Sequence, residues 1–149
     1  MSQVLVNDLQ DQFRRGILMV RNTIGKFSAQ QWQSGITGFR VPSTLSYHIV
    51  ECLDYYFRDT HLEFGWGSRL GPQPTQQALL GYMDEIEARI VKHLAALDDV
   101  DLATPHDEKR EHAQTRLGHY VYALRHTMHH HGALTLLSIH HGNVGGSWE

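Results

Sequence analysis

The chain has 149 residues, of which 41% are hydrophobic and 19% are charged, and its formal net charge is −3 with histidine neutral. This length suits a single domain with its own core. The composition excludes an intrinsically disordered chain and, without a basic excess, argues against a nucleic-acid-binding protein. No apolar run reaches the roughly 20 residues of a membrane span, and no signal-peptide pattern opens the chain. The single cysteine, Cys52, rules out an intramolecular disulfide. We therefore expect a cytoplasmic protein with no membrane partner.

Four long amphipathic helices are predicted in chain order, beginning with one from about Val4 to Ile24. Its apolar residues recur at steps of three and four, which places them on one stripe of an α-helix. The second helix is expected to begin after Pro42 with Ser43 as its N-cap, because a serine hydroxyl can accept a hydrogen bond from a free backbone N–H of the first turn. It ends between residues 57 and 64, before a segment rich in glycine and proline.

The third helix is predicted over residues 75–97 and the fourth over residues 115–141. Between them, residues 98–111 are polar and contain a proline, so we expect a loop whose aspartates are solvated. No run alternates apolar and polar residues over a length that would form a sheet. The sequence therefore predicts one all-α domain over residues 1–149, a four-helix bundle whose long connections cross the bundle.

Histidine is the residue type that distinguishes this composition. The chain contains 12 histidines, and seven of them lie between His119 and His141 in the fourth helix. His126 and His130 are four residues apart and lie one above the other on a helix, so their imidazoles can converge on one metal ion. His119 shares their stripe but lies about 10 Å along the axis from His126, which is too far for the same ion yet within reach of the same pocket.

A third ligand has to come from another helix, and His48 is the histidine in the middle of the second helix. Three neutral imidazoles leave coordination positions open for water or substrate, which is typical of catalytic sites. A zincin protease is not predicted, because Thr127 follows His126 where that motif has glutamate, and the Glu-x-x-His pairs of di-metal bundles are missing from the predicted helices. On spacing alone, the cluster also fits a solvated histidine-rich face.

Residues 125–134 of the fourth helix read RHTMHHHGAL. This segment resembles the His-x-x-His-His-Arg-Gly-Gln segment of the DinB-like superfamily of four-helix bundles, which includes the bacillithiol S-transferase type. The resemblance implies that His126, His130 and, from the second helix, His48 bind one divalent metal ion. It also implies an enzyme that uses a low-molecular-weight thiol, as the characterised transferases and isomerase of that superfamily do. The chain departs from the family pattern where relatives often carry Arg and Gln, which are here histidine and alanine.

Several side chains near His48 on the second helix are candidates for supporting roles. Cys52 is either a metal ligand or nucleophile, or a small buried apolar residue. Tyr55 and Asp59 either orient a ligand imidazole or pack and cap locally, while Glu51 points about 60° away from His48. The tryptophans in predicted loops and in the tail either wall a substrate pocket or anchor these segments to the bundle; they are Trp32, Trp66 and Trp148.

Two classes of function stay open. In the first, zinc or nickel, both of which suit imidazole ligands, activates a thiol or water for transfer to, or hydrolysis of, a small-molecule substrate. In the second, the ion is bound without catalysis, or the chain is a structural dimer of helical bundles. A homodimer is predicted from the apolar stripe opposite the histidines of the fourth helix; this stripe comprises Leu117, Val121, Leu124, Met128 and Ile139.

Overall fold

The computed structural model describes residues 2–36, 40–58, 64–110, 113–145 and 148. Within these residues the chain is mostly helical, which confirms the predicted all-α class at this level. Among the described helices, none combines the length and the apolarity that crossing a lipid bilayer requires. In chain order the elements are α1 (Val4–Ile24), α2 (Ala29–Trp32), α3 (Pro42–Tyr56), α4 (Gln76–Ala95), α5 (Asp99–Ala103), β1 (Pro105–Arg110), β2 (Ala113–Thr115) and α6 (Arg116–His140).

The long helices pack around one core. α1 lies against α4 and α6, and α3 lies against the same two helices. Phe57, which follows α3, joins three of these helices. Its ring meets the Phe13 ring of α1 edge-on at 5.0 Å and stacks on the Tyr120 ring of α6 at 5.3 Å. Because all three rings are buried, this contact fixes α3 alongside α6, the two helices that carry the candidate metal ligands.

The N-cap of α3 lies two residues earlier than the prediction. The helix begins at Pro42 and its N-cap is Val41, so the prediction that Ser43 is the N-cap is wrong. Proline fits the first helical position, because the N–H that it lacks has no partner there in any helix. The Ser43 hydroxyl donates instead to Oε1 of Gln33 at 3.0 Å.

A short antiparallel hairpin precedes α6 in a segment for which the sequence predicts a loop. β1 and β2 pair with Pro105 opposite Thr115 and Arg110 opposite Ala113, and the register between these pairs is irregular. The prediction that no sheet forms is therefore wrong for these two strands. β1 reads PHDEKR and carries no apolar alternation, which is the signal that reveals a half-buried strand in a sequence.

The aspartates that follow α4 organise two helix starts, which corrects the prediction that they are merely solvated. The Asp99 carboxylate accepts hydrogen bonds from the backbone N–H groups of Val4, Leu5 and Val6 at 3.0–3.2 Å. Asp98 accepts from two N–H groups in the first turn of α5. First-turn N–H groups have no partner within their own helix, so a carboxylate there both satisfies them and complements the positive end of the helix dipole.

A fully buried carboxylate, that of Asp54, joins α3 to α4. Asp54 is 0% exposed and forms ion pairs with Arg58, at 2.7 Å, and with Arg89, and it accepts a hydrogen bond from the Tyr82 hydroxyl. Burial by itself raises the pKa of Asp54, but the hydrogen bonds from Arg58 and Tyr82 outweigh it and hold this pKa below its usual value. This network anchors the second half of α3, beyond His48.

Candidate metal centre

The histidines predicted to bind a metal come together where α3 meets α6. The Nε2 atoms of His126 and His130 are 3.1 Å apart. The ring centroid of His48 lies 4.7 Å from that of His130 and 5.9 Å from that of His126. Each of the three rings offers one nitrogen such that all three nitrogens lie within 4.8 Å of one another. The structure thus assembles the three residues that sequence reasoning selected.

These nitrogens have the chemistry and the spacing that one divalent ion requires. Zinc-bound nitrogens lie about 2.0–2.1 Å from the ion, which puts neighbouring ligands of a tetrahedral site about 3.3 Å apart. The 3.1 Å separation between the nitrogens of His126 and His130 is close to that value. Among the described residues, no cysteine or carboxylate joins the three-histidine group. The described residues thus offer a metal ion three ligands from two helices, which leaves at least one coordination position for a further ligand.

The surroundings keep two of these imidazoles, those of His48 and His130, in the neutral form that binds metals. Burial, followed by the charges of Arg40 and His126, lowers the pKa of His48 to about 4. Burial, followed by the neighbouring His126 and His48, lowers the pKa of His130 to about 4. Since only an unprotonated nitrogen can bind a metal, both rings are prepared as lone-pair donors at neutral pH.

A cavity of about 360 Å³ adjoins the site on the side of His48. Arg40 and Trp66 stand in its wall together with His48. The indole centroid of Trp66 lies 6.2 Å from the imidazole centroid of His48, with the two planes tilted by 35°. Of the three histidines, His48 lines the cavity, so a small molecule in it lies next to the candidate site on that side.

The tryptophans divide between the two predicted roles. Trp66 lines the cavity, and its ring also packs against Tyr55 of α3 at 5.4 Å, so it serves as both a wall and an anchor. Trp32 is buried and acts as an anchor, because its indole N–H donates to the carbonyl oxygen of Pro74 at 2.8 Å. Trp148 is exposed and lies away from the site, beside Met128 of α6.

Two side chains of α3 hold the loop that carries Trp66. The N–H of Gly67 donates to Oε1 of Glu51 at 2.5 Å, and the N–H of Leu70 donates to the Tyr47 hydroxyl at 2.9 Å. Gly67 has a φ of +75°, which glycine adopts without strain. Burial raises the pKa of Glu51, and the hydrogen bonds from Gly67 and Tyr47 oppose that rise. The helical wheel alone did not identify this role of Glu51, because nothing in the sequence indicates that Glu51 contacts a loop sixteen residues away.

Cys52 lies next to His48 without joining the three-histidine group. The thiol is 3% exposed, and its Sγ is 3.6 Å from Nε2 of His48. Burial raises the pKa of Cys52 to about 12, which favours the neutral thiol. A neutral buried thiol packs as a small apolar residue, which agrees with the second of the two interpretations that the sequence left open.

Other histidines of α6 have structural partners. Nε2 of His119 lies 2.9 Å from the carbonyl oxygen of Tyr56, and His119 is not among the described residues that line the cavity, contrary to expectation. His131 is 6% exposed, and its Nε2 lies 2.9 Å from the hydroxyl oxygen of Thr23 in α1. Asp59, a candidate for a supporting role, lies outside the described residues. The structure therefore separates ligand candidates from histidines that join helices.

No family model matches the chain, and neither does any curated protein. The resemblance to the DinB-like superfamily therefore depends on the histidine segment of α6 and on His48, and membership of that superfamily stays a hypothesis.

Proposed function

We propose that this chain is a cytoplasmic, metal-dependent enzyme of the DinB-like type. In this proposal the helices form a four-helix bundle that binds one divalent ion, zinc or nickel, through His48, His126 and His130. When bound, such an ion supplies a Lewis acid that lowers the pKa of a coordinated thiol or water and creates a nucleophile near neutral pH. The observation that carries the proposal is the convergence of three imidazoles from two helices beside an open cavity.

The chain's own residues contribute positioning and shielding. Regular backbone in α3 and α6 fixes the three imidazoles, because side chains on packed helices have little freedom to move. Cys52 and the core close one side of His48, and the Trp66 loop, tied down by Glu51, borders the other. The small-molecule substrate then meets its reaction partner in the cavity between His48 and the Trp66 loop. This partner is either a low-molecular-weight thiol or a water molecule.

A purely structural metal site is the second candidate. Such a site is normally closed by a fourth protein ligand, and Cys52 is the residue that the sequence offers for this purpose. Among the described residues the group contains three histidines and no fourth ligand. This observation favours an open, catalytic site.

Metal analysis combined with a thiol-conjugation assay tests the proposal. Protein purified without chelators should contain about one zinc or nickel ion per chain, and it should accelerate the reaction of a low-molecular-weight thiol with monobromobimane. Chelation should abolish the acceleration and leave the melting temperature nearly unchanged. A large loss of melting temperature without any activity indicates the structural alternative, and protein that takes up no metal contradicts both.

We also propose a homodimer in which the exposed apolar face of α6 meets its copy. The stripe predicted from the sequence is only partly free, because Leu117, Leu124 and Met128 are partly buried and pack against the core. The exposed apolar face instead comprises Val121, Leu136 and Ile139, each of which is at least half exposed. Gly132 lies among them, and nothing lies within 4 Å of a Cβ built there, so a second helix can approach closely. A two-fold dimer places the same apolar face on both sides of the interface.

Leu136→Glu should convert the dimer to a monomer at micromolar concentration, because it buries a charge in the apolar contact. Sedimentation velocity measures the change. Val91→Glu is the matched control, since Val91 is an exposed apolar residue on α4, and it should leave the dimer intact. Wild-type protein that sediments only as a monomer contradicts the dimer.

A further inference from the structure

Among its described lining residues, the cavity beside His48 has one arginine, Arg40, and one carboxylate, that of Glu51. Arg40 lines the cavity and is exposed, and it forms no hydrogen bond or ion pair with any residue that the structure describes. Other arginines of the described chain are paired with carboxylates; they are Arg14, Arg15, Arg21, Arg58, Arg69 and Arg89. Arg40 is therefore available to an anion that enters the cavity.

The carboxylate in the cavity wall, that of Glu51, forms no ion pair with Arg40. Glu51 instead accepts the N–H of Gly67. Arg40 and His48 line the same cavity, so the charge of Arg40 also acts next to the candidate metal site. With a divalent ion held by the histidines, the net charge around this cavity is positive and favours anions.

The rest of the wall is suited to an apolar or aromatic group. The Trp66 indole is half exposed, and Pro72 and Tyr47 line the same cavity. An aromatic face of this kind favours a flat or apolar partner. A volume of about 360 Å³ is at the small end of ligand pockets, which limits the occupant to a small molecule.

We propose, on the premise of the metal-dependent function above, that the substrate of this site is a small carboxylate with an apolar or aromatic body. Its carboxylate pairs with Arg40, its body lies against Trp66, and its reacting atom is thereby held beside His48. A carboxylate is favoured over a phosphate ester, because one guanidinium satisfies a carboxylate through two parallel hydrogen bonds. No second arginine or lysine is among the described residues of the cavity wall to meet a doubly charged group.

Calorimetric titration of the zinc-loaded protein with three probes tests this proposal. The probes are phenylacetate, its neutral analogue phenylacetamide, and phenyl phosphate. We expect phenylacetate to bind most tightly, and Arg40→Gln to weaken it by about 10-fold or more, since a charge-assisted bidentate pair is lost. The same variant should leave phenylacetamide binding and the zinc content unchanged. Arg14→Gln is the matched control, because Arg14 is an exposed arginine on α1, and it should behave as wild type.

The outcomes separate this proposal from the function on which it rests. If wild-type protein takes up no zinc, the metal site itself is wrong and this proposal is lost with it. If zinc binds but phenylacetate does not bind at up to about 10 mM, or binds equally well to Arg40→Gln, only the carboxylate proposal is overturned. Tighter, Arg40-dependent binding of phenyl phosphate overturns the assignment to carboxylates and identifies a phosphate-ester site.

Discussion

His126→Ala is expected to weaken zinc binding by at least about 100-fold, because changes to groups that merely support a ligand already cost roughly 10–100-fold. The variant leaves two imidazoles from different helices, His48 and His130, whose ring centroids are 4.7 Å apart. Competition with a chromophoric chelator measures the affinity, and metal analysis of the purified variant should give a stoichiometry near zero. Wild-type stoichiometry in this variant would remove His126 from the site.

Two companion variants make that result specific. His140→Ala removes an exposed histidine near the end of the same helix, and it should keep wild-type zinc affinity. The ring of His126 also packs against Tyr122 and Tyr56, so its removal can loosen α6 as well. His130→Ala is therefore measured in parallel, since it should lose zinc in the same way. Zinc loss in His126→Ala alone, with a lowered melting temperature, indicates a packing defect rather than a lost ligand.

The long helices and the ligand pair were predictable because both depend on local periodicity. Apolar steps of three and four fix a helix and its buried face, and the bounds of α1 agree with the prediction. A spacing of four residues determines that His126 and His130 share a face, whatever the rest of the fold does. The contribution of His48 needed a further assumption, namely that α3 packs on the histidine side of α6, which the structure shows.

The contacts that escaped prediction join residues far apart in the chain. Asp99 caps α1 across 93 to 95 residues, and a polar cluster in a sequence does not reveal which helix it will cap. The Glu51 carboxylate accepts a hydrogen bond from the N–H of Gly67, a contact that no apolar pattern reports. The β1–β2 hairpin is likewise defined by backbone pairing. Periodicity reports which face is buried, whereas these features depend on tertiary geometry.

The histidine-rich helix shows the same limit at the site itself. His130 and His131 are adjacent, and nothing in their residue type distinguishes a ligand from a structural histidine. A rotation of about 100° per residue turns His130 toward His48 of α3 and His131 toward Thr23 of α1. The role of each histidine is therefore set by the helix that it faces, and only the packing of α6 between α1 and α3 assigns it.

The metal-free protein is expected to lose stability as the pH falls from about 6.5 to about 4. The folded state holds the pKa of His48 and of His130 near 4, below the ordinary value of 6.5 that the unfolded chain approaches. Between these values the unfolded chain binds more protons, so the free energy of unfolding decreases as the pH falls. The stabilising contribution is complete above pH 6.5 and is lost once the pH passes the folded pKa. Thermal denaturation of chelator-treated protein across this range measures the effect.

Other groups contribute to the same profile, and their directions differ. Burial also lowers the pKa of His131, which adds to the loss at acidic pH. Burial raises the pKa of Glu51, so its contribution has the opposite sign and falls as the pH rises through that pKa. The pKa of Asp54 lies below its ordinary value of 3.8, so its stabilising contribution is lost at more acidic pH than the window set by the histidines.

His130→Gln isolates the contribution of one ligand ring to this slope. Glutamine does not titrate, so the variant should lose less melting temperature than wild type between about pH 7 and pH 4.5. The ring is only partly shielded from water, so we expect a difference of about 1 kcal/mol, or roughly 3 °C for a domain of this size. Parallel profiles for wild type and His130→Gln contradict the expectation that this ring is held neutral by its burial against His48 and His126.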